Sequence, residues 1–215
     1  MSLAYQKLLL GTGAGRQSLN FTGSAWIVDL VVPGTTGLTN YTYEAWIKPS
    51  AVGPSYINIV GKNYESRGGS LYLSNGRLAF YQGSERVAGG SVQTDVWQHV
   101  ACVRFGGSVY LYLDGVNVAS SGNDGNNPTD PDIVVGASLV DGATTPQNQH
   151  FNGLMFRPRV SNIARYTADF TPDPNYRADA NTMFLVGVGP QGDPIEEAVG
   201  DPLQFNSVGA SPDVP

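Results

Sequence analysis

Residues 97–120 read Trp97-Gln-His-Val-Ala-Cys-Val-Arg104, Phe105-Gly-Gly-Ser108, Val109-Tyr-Leu-Tyr-Leu113, Asp114-Gly115 and Val116-Asn-Val-Ala-Ser120. Two runs rich in valine, leucine and tyrosine are split by Gly106-Gly107, and Asp114-Gly115 then returns the chain into a third run. Both dipeptides tolerate the positive φ angles that a tight hairpin needs. Apolar residues within the runs recur at every second position, which places them on one face of a pleated strand. The stretch therefore predicts three consecutive antiparallel strands. Val109 and Leu111 fall on one face, Tyr110 and Tyr112 on the other.

The same grammar extends in both directions. Leu71-Tyr-Leu73 and Arg77-Leu-Ala-Phe-Tyr81 flank Asn75-Gly76 and predict a second hairpin. Trp26, Val28, Leu30 and Val32 alternate with Ile27, Asp29 and Val31. After Pro33-Gly34 follow Tyr43, Ala45 and Ile47, alternating with Glu44, Trp46 and Lys48. Further strands are expected at 132–137, 150–160 and 182–188, with one helical turn at most over 161–165. Residues 120–131 are all turn chemistry and predict an exposed loop. No long amphipathic helix is present, so a parallel α/β fold lacks its crossovers. Strands at this spacing predict an all-β protein, a two-sheet antiparallel β-sandwich.

Composition agrees. Charged residues make up 14% of the 215 positions, while Gly reaches 27 and Pro 14, which suits short strands and tight turns more than helices laced with ion pairs. The formal net charge of −6 repels phosphate backbones and argues against nucleic acid as a partner. Cys102 is the single cysteine, so no intrachain disulfide is expected and core burial must stabilise the fold. No secretory leader and no membrane-spanning run is read in the sequence. Composition divides the chain into an N-terminal arm (1–16), a sandwich (17–186) and a Gly/Pro/acidic tail (187–215), in which Leu203-Gln-Phe205 has the makings of an edge strand.

Catalytic constellations are missing. Glycoside hydrolysis needs two carboxylates across the scissile bond, and Glu44 stands alone on its strand with Trp46 and Pro49 where partners would be required. No Gly-x-Ser-x-Gly elbow occurs, and His99 and Cys102, an odd number of residues apart, point to opposite faces. Two histidines and one cysteine fail every zinc spacing. The expectation is a non-enzyme without a resident cofactor. Calcium is the metal whose ligand types are present, in Asn123-Asp-Gly-Asn-Asn127 with Asp130, and in Asp141 near Asn148, although Asn, Asp and Gly also dominate ordinary turns. Sugar binding needs exposed rings beside hydrogen-bonding groups, and Tyr64, Tyr72, Tyr81, Tyr110 and Tyr112 are the candidate contacts for a glycan or a protein partner. Trp46, Trp97, Glu44 and His99 are expected to be packing residues with internally satisfied polar groups.

Several segments resemble the concanavalin A-like lectin/glucanase superfamily, in its laminin-G-like branch. Ser18-Leu-Asn-Phe-Thr-Gly23 with Trp26-Ile-Val is similar to the opening strands, and Tyr41-Thr-Tyr-Glu-Ala-Trp-Ile-Lys-Pro49 to the "EAW-hydrophobic-KP" strand. Trp97-Gln-His-Val-Ala101 with Leu111-Tyr-Leu-Asp-Gly115 is similar to "W-x-HVA … LYxDG". Phe151-Asn-Gly153, Arg159-Val-Ser-Asn-Ile-Ala-Arg-Tyr166 and Phe170-Thr-Pro172 resemble the closing segment in the version found in bacteriophage virion proteins. One departure is Leu154-Met155-Phe156, where the family often carries an acidic pair, so no role of those carboxylates transfers. The resemblance implies a jelly-roll sandwich acting as a lectin-like adhesion module. Its implied setting is a virion assembled in the host cytoplasm, as a head decoration (cement) protein or a tail-fibre component. The implied partners are the major capsid protein or tail proteins, with the chain as a homo-oligomer, a trimer by analogy, and its two ends as docking arms. The alternative is a soluble lectin recognising a cell-surface glycan.

Overall fold

The computed structural model describes residues 17–53, 55–62, 68–122, 127–140, 143–188, 194–196 and 203–215. The expected N-terminal arm and Tyr64 lie outside the described residues. In chain order the strands are β1 (Ser18–Thr22), β2 (Trp26–Asp29), β3 (Tyr41–Pro49), β4 (Ile57–Gly61), β5 (Ser70–Ser74), β6 (Arg77–Tyr81), β7 (Glu85–Gly89) and β8 (Gln98–Phe105). They continue as β9 (Ser108–Leu113), β10 (Val116–Ser120), β11 (Ile133–Val135), β12 (Asn152–Ser161), β13 (Thr182–Val188), β14 (Pro194–Glu196), β15 (Gln204–Asn206) and β16 (Gly209–Ser211). The described residues contain no helix, so the turn expected over 161–165 is instead the end of β12 at Ser161 followed by irregular chain.

Among the described residues these strands form two antiparallel sheets. The larger runs β10-β9-β8-β3-β12-β1-β16, with β13 also on β12 and β14 on β13; the smaller runs β15-β2-β11-β4-β5-β6-β7. Asn75-Gly76, Gly106-Gly107 and Asp114-Gly115 all have positive φ at both central positions, between 51° and 85°. That is the mirror-image turn whose twist matches the flanking strands, which is why these hairpins are readable from the residues.

The period-2 pattern supplies the core. Tyr41, Tyr43, Ala45 and Ile47 of β3, Val100 and Cys102 of β8, and Val109 and Leu111 of β9 point inward. They meet Ile27, Ile59, Leu71, Leu73, Leu78 and Phe80 from the opposite sheet in one cluster. Cys102 is buried and in no disulfide, and His99 lies on the other face of the same strand. Arg157, at φ 54°, and Pro158 interrupt β12, and its register against β3 shifts there. The bend divides one edge of β12 between two neighbours: Asn152–Met155 pair with β1, and Arg159–Ser161 with β13.

The C-terminal stretch is part of both sheets. β15 pairs with β2, Phe205 lying opposite Ile27, and β16 pairs with β1, Ala210 opposite Leu19. Asp213 then accepts from Lys48 Nζ at 2.5 Å and from Trp97 Nε1 at 2.8 Å. The division drawn at residue 187 from composition falls inside β13. Within 203–215, residues 204–206 and 209–211 are strands despite a composition that reads as a tail, because edge strands need backbone pairing and little apolar side chain.

Candidate functional site

The sandwich has two outer faces, each carrying tyrosines. On the larger sheet, Glu44, Trp46, His99, Tyr112 and Arg159 point outward, but the chain from Asn162 to Asn181 folds back over them. Arg159 Nε donates to Glu44 Oε1 at 2.8 Å, Tyr166 Oη to Glu44 Oε2 at 2.7 Å, and His99 Nε2 to Oε2 at 3.2 Å. Burial alone would push the Glu44 carboxyl upward. The His99 bond, the Arg159 charge and the Tyr166 hydroxyl outweigh it and hold the group below its ordinary range. Tyr166 and Phe170 stack with ring centroids 3.5 Å apart, and Tyr112 lies edge-on to Tyr166 at 6.2 Å. The Arg159 guanidinium sits 4.0 Å from the Tyr176 ring centroid. Arg165 holds the cover at its far end through Asp179, at 2.8 and 2.9 Å. The Phe170 amide donates to the Gly115 carbonyl at 2.9 Å. At φ 82°, Gly115 has no room for a Cβ, which would run into the Phe170 carbonyl oxygen. Glu44 is thus satisfied internally, whereas His99 bonds through Nε2 alone and its buried Nδ1, like Trp46 Nε1, has no hydrogen-bond partner among the described residues, contrary to expectation; this face is a second small core.

The outer face of the smaller sheet is only half covered. Leu139 and Ala143 of the 137–150 connection pack on Val28 and Val134, and where that connection ends a pocket of about 100 Å³ opens. Tyr56, Ser70, Tyr72, Tyr81 and Gln149 line it. Alternation puts Ser70 and Tyr72 here, since Leu71 and Leu73 enter the core. Tyr72 is flanked by Tyr56 at 5.6 Å and 65° and by Tyr81 at 6.1 Å and 76°, both edge-to-face geometries. Tyr56, 51% exposed, is the ring most open to solvent.

Hydrogen bonds set this lining. Tyr72 Oη donates to Glu85 Oε2 at 2.9 Å, Tyr81 Oη to the Gly83 carbonyl at 3.1 Å, and Ser70 Oγ to the Lys62 carbonyl at 2.9 Å. Desolvation first, then the Glu85 bond and charge, raises the Tyr72 phenol far above its usual range, so it stays protonated. Gln149 holds a left-handed backbone, φ 56°, while its carbonyl accepts from Asn58 N at 2.9 Å and its Oε1 accepts from Ser138 Oγ. A non-glycine residue in that conformation is strained and persists because its surroundings fix it.

The five sequence candidates separate accordingly. Tyr72 and Tyr81 are brought together in the pocket. Tyr112 is buried beneath the cover of the opposite sheet, with Tyr110 half-buried beside it. Tyr56 and Gln149 were not legible as candidates. Tyr56 precedes β4 in alternation with inward-facing Ile57, which is a usable signal; Gln149 carries none, since it reaches the pocket from a loop 79 residues beyond Ser70. For calcium, Asn123–Asn126 and Asp141 lie outside the described residues. Asn127 accepts from Arg104, Asp130 Oδ1 accepts from Asp132 N at 2.8 Å, and Lys62 Nζ donates to the Asp130 carbonyl. Among the described residues no three His, Cys, Asp or Glu side chains cluster as metal ligands do.

Residues 14–169 match a laminin-G-type family described as the Concanavalin A-like lectin/glucanases superfamily. The chain belongs to that superfamily. No curated protein matches it in sequence. Solved structures with this concanavalin A-like fold include a Bacteroides ovatus protein with a proposed carbohydrate-binding role, at 18% identity and TM-score 0.66, matching 92% of this chain and 60% of that one. The chain thus spans about 60% of the Bacteroides ovatus protein's length. A heptameric SAP-like pentraxin from Limulus polyphemus aligns at 16% identity and TM-score 0.62, over 91% of this chain and 95% of the pentraxin. The CBM40 module of a Ruminococcus gnavus IT-sialidase, bound to α2,3-sialyllactose, aligns at 14% identity and TM-score 0.56, over 70% of this chain and 93% of the module. These likenesses concern the concanavalin A-like sandwich itself. The tyrosine pocket is built from this chain's own side chains.

Proposed function

We propose that this protein is a non-catalytic, lectin-like module that holds a carbohydrate at the pocket formed by Tyr56, Tyr72, Tyr81, Ser70 and Gln149. The observation that carries the reading is the Tyr72 ring held edge-on between Tyr56 and Tyr81 at a concave, partly uncovered sheet face, with hydroxyl and amide groups at their margin. Pyranose rings present an apolar C–H face and a rim of hydroxyls, and such a lining answers both. The named sugar ligand of the Ruminococcus gnavus module, which shares the sandwich, supports the class of ligand. A glycan array with the full chain tests it. Retention of defined glycans that is lost in Tyr56→Ala supports the reading; no retention of any glycan, or retention unaffected by Tyr56→Ala and Tyr81→Ala, overturns it.

A second reading sets the module on a bacteriophage virion, as a head decoration protein or tail-fibre component, and rests on the resemblance of Arg159–Tyr166 and Phe170–Pro172. Arg159 pairs with Glu44 from β12 and the residues from Asn162 onward form the cover over it, so folding alone already demands much of them. Co-sedimentation with particles, and the stoichiometry of the free protein by sedimentation equilibrium, test that setting and the trimer it implies.

A further inference from the structure

The pocket's hydrogen-bond directions restrict the class of sugar, on the footing that the pocket binds carbohydrate at all. Three of the four hydroxyl groups on the lining residues donate inward to the protein: Ser70 to the Lys62 carbonyl, Tyr72 to the Glu85 carboxylate, Tyr81 to the Gly83 carbonyl; Tyr56, at the open margin, carries the fourth. What the first three oxygens retain for a ligand is acceptor capacity. The Gln149 Oε1 is taken by Ser138, which leaves the Nε2 amide as the donor of that side chain. Among the described residues no lysine, arginine or histidine lines the pocket, and the charge bonded to its central ring is the exposed Glu85 carboxylate. A carboxylate, sulfate or phosphate is acceptor-only: it can use the Gln149 amide and the Tyr56 hydroxyl, but it meets three oxygens whose protons are committed elsewhere and the like charge of Glu85. A neutral sugar hydroxyl can donate to each.

The volume adds a second restriction. At about 100 Å³ the pocket is well below the roughly 300–1,000 Å³ of sites that engulf a whole ligand. It seats one ring edge, with Tyr56 offering a face beside it. We infer that the site selects a single neutral, hydroxyl-donating sugar residue and rejects acidic sugars.

Affinities of the full chain for neutral mono- and disaccharides, for α2,3-sialyllactose and for glucuronate-terminated disaccharides decide the matter. Neutral sugars are expected to bind at least tenfold tighter than either acidic probe, and Glu85→Gln to narrow that ratio at least threefold at low salt. Tyr72→Phe, which keeps the ring and removes the hydroxyl, is expected to weaken neutral sugars severalfold with the melting temperature nearly unchanged. Acidic sugars binding as tightly as neutral ones, with binding lost in Tyr56→Ala, would overturn the selectivity and leave the carbohydrate reading standing. No binding by any sugar would remove both.

Discussion

The two outer faces of the sandwich use the same pair of residues to opposite ends. On the larger sheet, Tyr166 donates to Glu44; on the smaller, Tyr72 donates to Glu85. Glu44 is sealed under the 162–181 cover with arginines and a histidine around it, and its carboxylate is spent on internal bonds. Glu85 is exposed, its tyrosine lines an opening, and none of the described residues is drawn across it as a cover. The difference teaches that an aromatic residue hydrogen-bonded to an acid is no sign of a binding site in itself. Whether another segment of the chain occupies the face decides between packing and recognition.

Removing the buried charge should break this contrast most strongly. Glu44→Gln leaves Arg159 buried without its anion and is expected to cost about 3 kcal/mol or more in urea-induced unfolding, whereas Glu85→Gln should cost well under about 1 kcal/mol. Acid should act through the same group. The folded-state pKa of Glu44 lies below its unfolded value, so its contribution is complete above the ordinary carboxylate range and fades as pH falls through the folded pKa. Stability measured against pH should fall less steeply below about pH 4 in Glu44→Gln than in the parent chain.

Prying at the edge of the cover should have the next largest effect. Gly115→Ala forces a side chain against the Phe170 carbonyl at a positive φ and is expected to cost about 2 kcal/mol by thermal unfolding, without altering sugar affinity. The open face should respond in the reverse sense. Tyr56→Ala is expected to shift stability by no more than about 0.5 kcal/mol while weakening sugar binding roughly tenfold by calorimetry. A Tyr56→Ala protein that loses stability but keeps its sugar would show the ring to be packing, and the contrast would collapse.

Much of the fold was legible because its hairpins are local. Asn75-Gly76, Gly106-Gly107 and Asp114-Gly115 mark turns by dipeptide chemistry, and Tyr43, Ala45 and Ile47 mark a core face by period. What escaped reading depends on partners far along the chain. β15 had a trace in Leu203-Gln-Phe205, but β16 has almost no apolar residue, and only pairing with β1 makes it a strand. The site was half legible for the same reason. Tyr72 and Tyr81 fall together because β5 and β6 form one hairpin, with Tyr81 opposite Ser70. Tyr110 and Tyr112 share their alternation but stand on the other sheet, and nothing in a strand's own period tells which faces a later loop will cover. Gln149 enters by a loop whose path is set by tertiary contacts.

The pairing of β1 with β16 also has a bearing on biogenesis. Ser18 and Asp213, which meet through a hydrogen bond, are 195 residues apart. At translation speeds of about 5–20 residues per second, the opening strand waits on the order of 10–40 seconds for its last neighbour to be synthesised. During that interval it has β12 on one side at most, and its other side is an unpaired ladder open to any passing polypeptide. Yield from a cell should therefore respond to ribosome pace and chaperone supply more than the finished sandwich's stability would suggest.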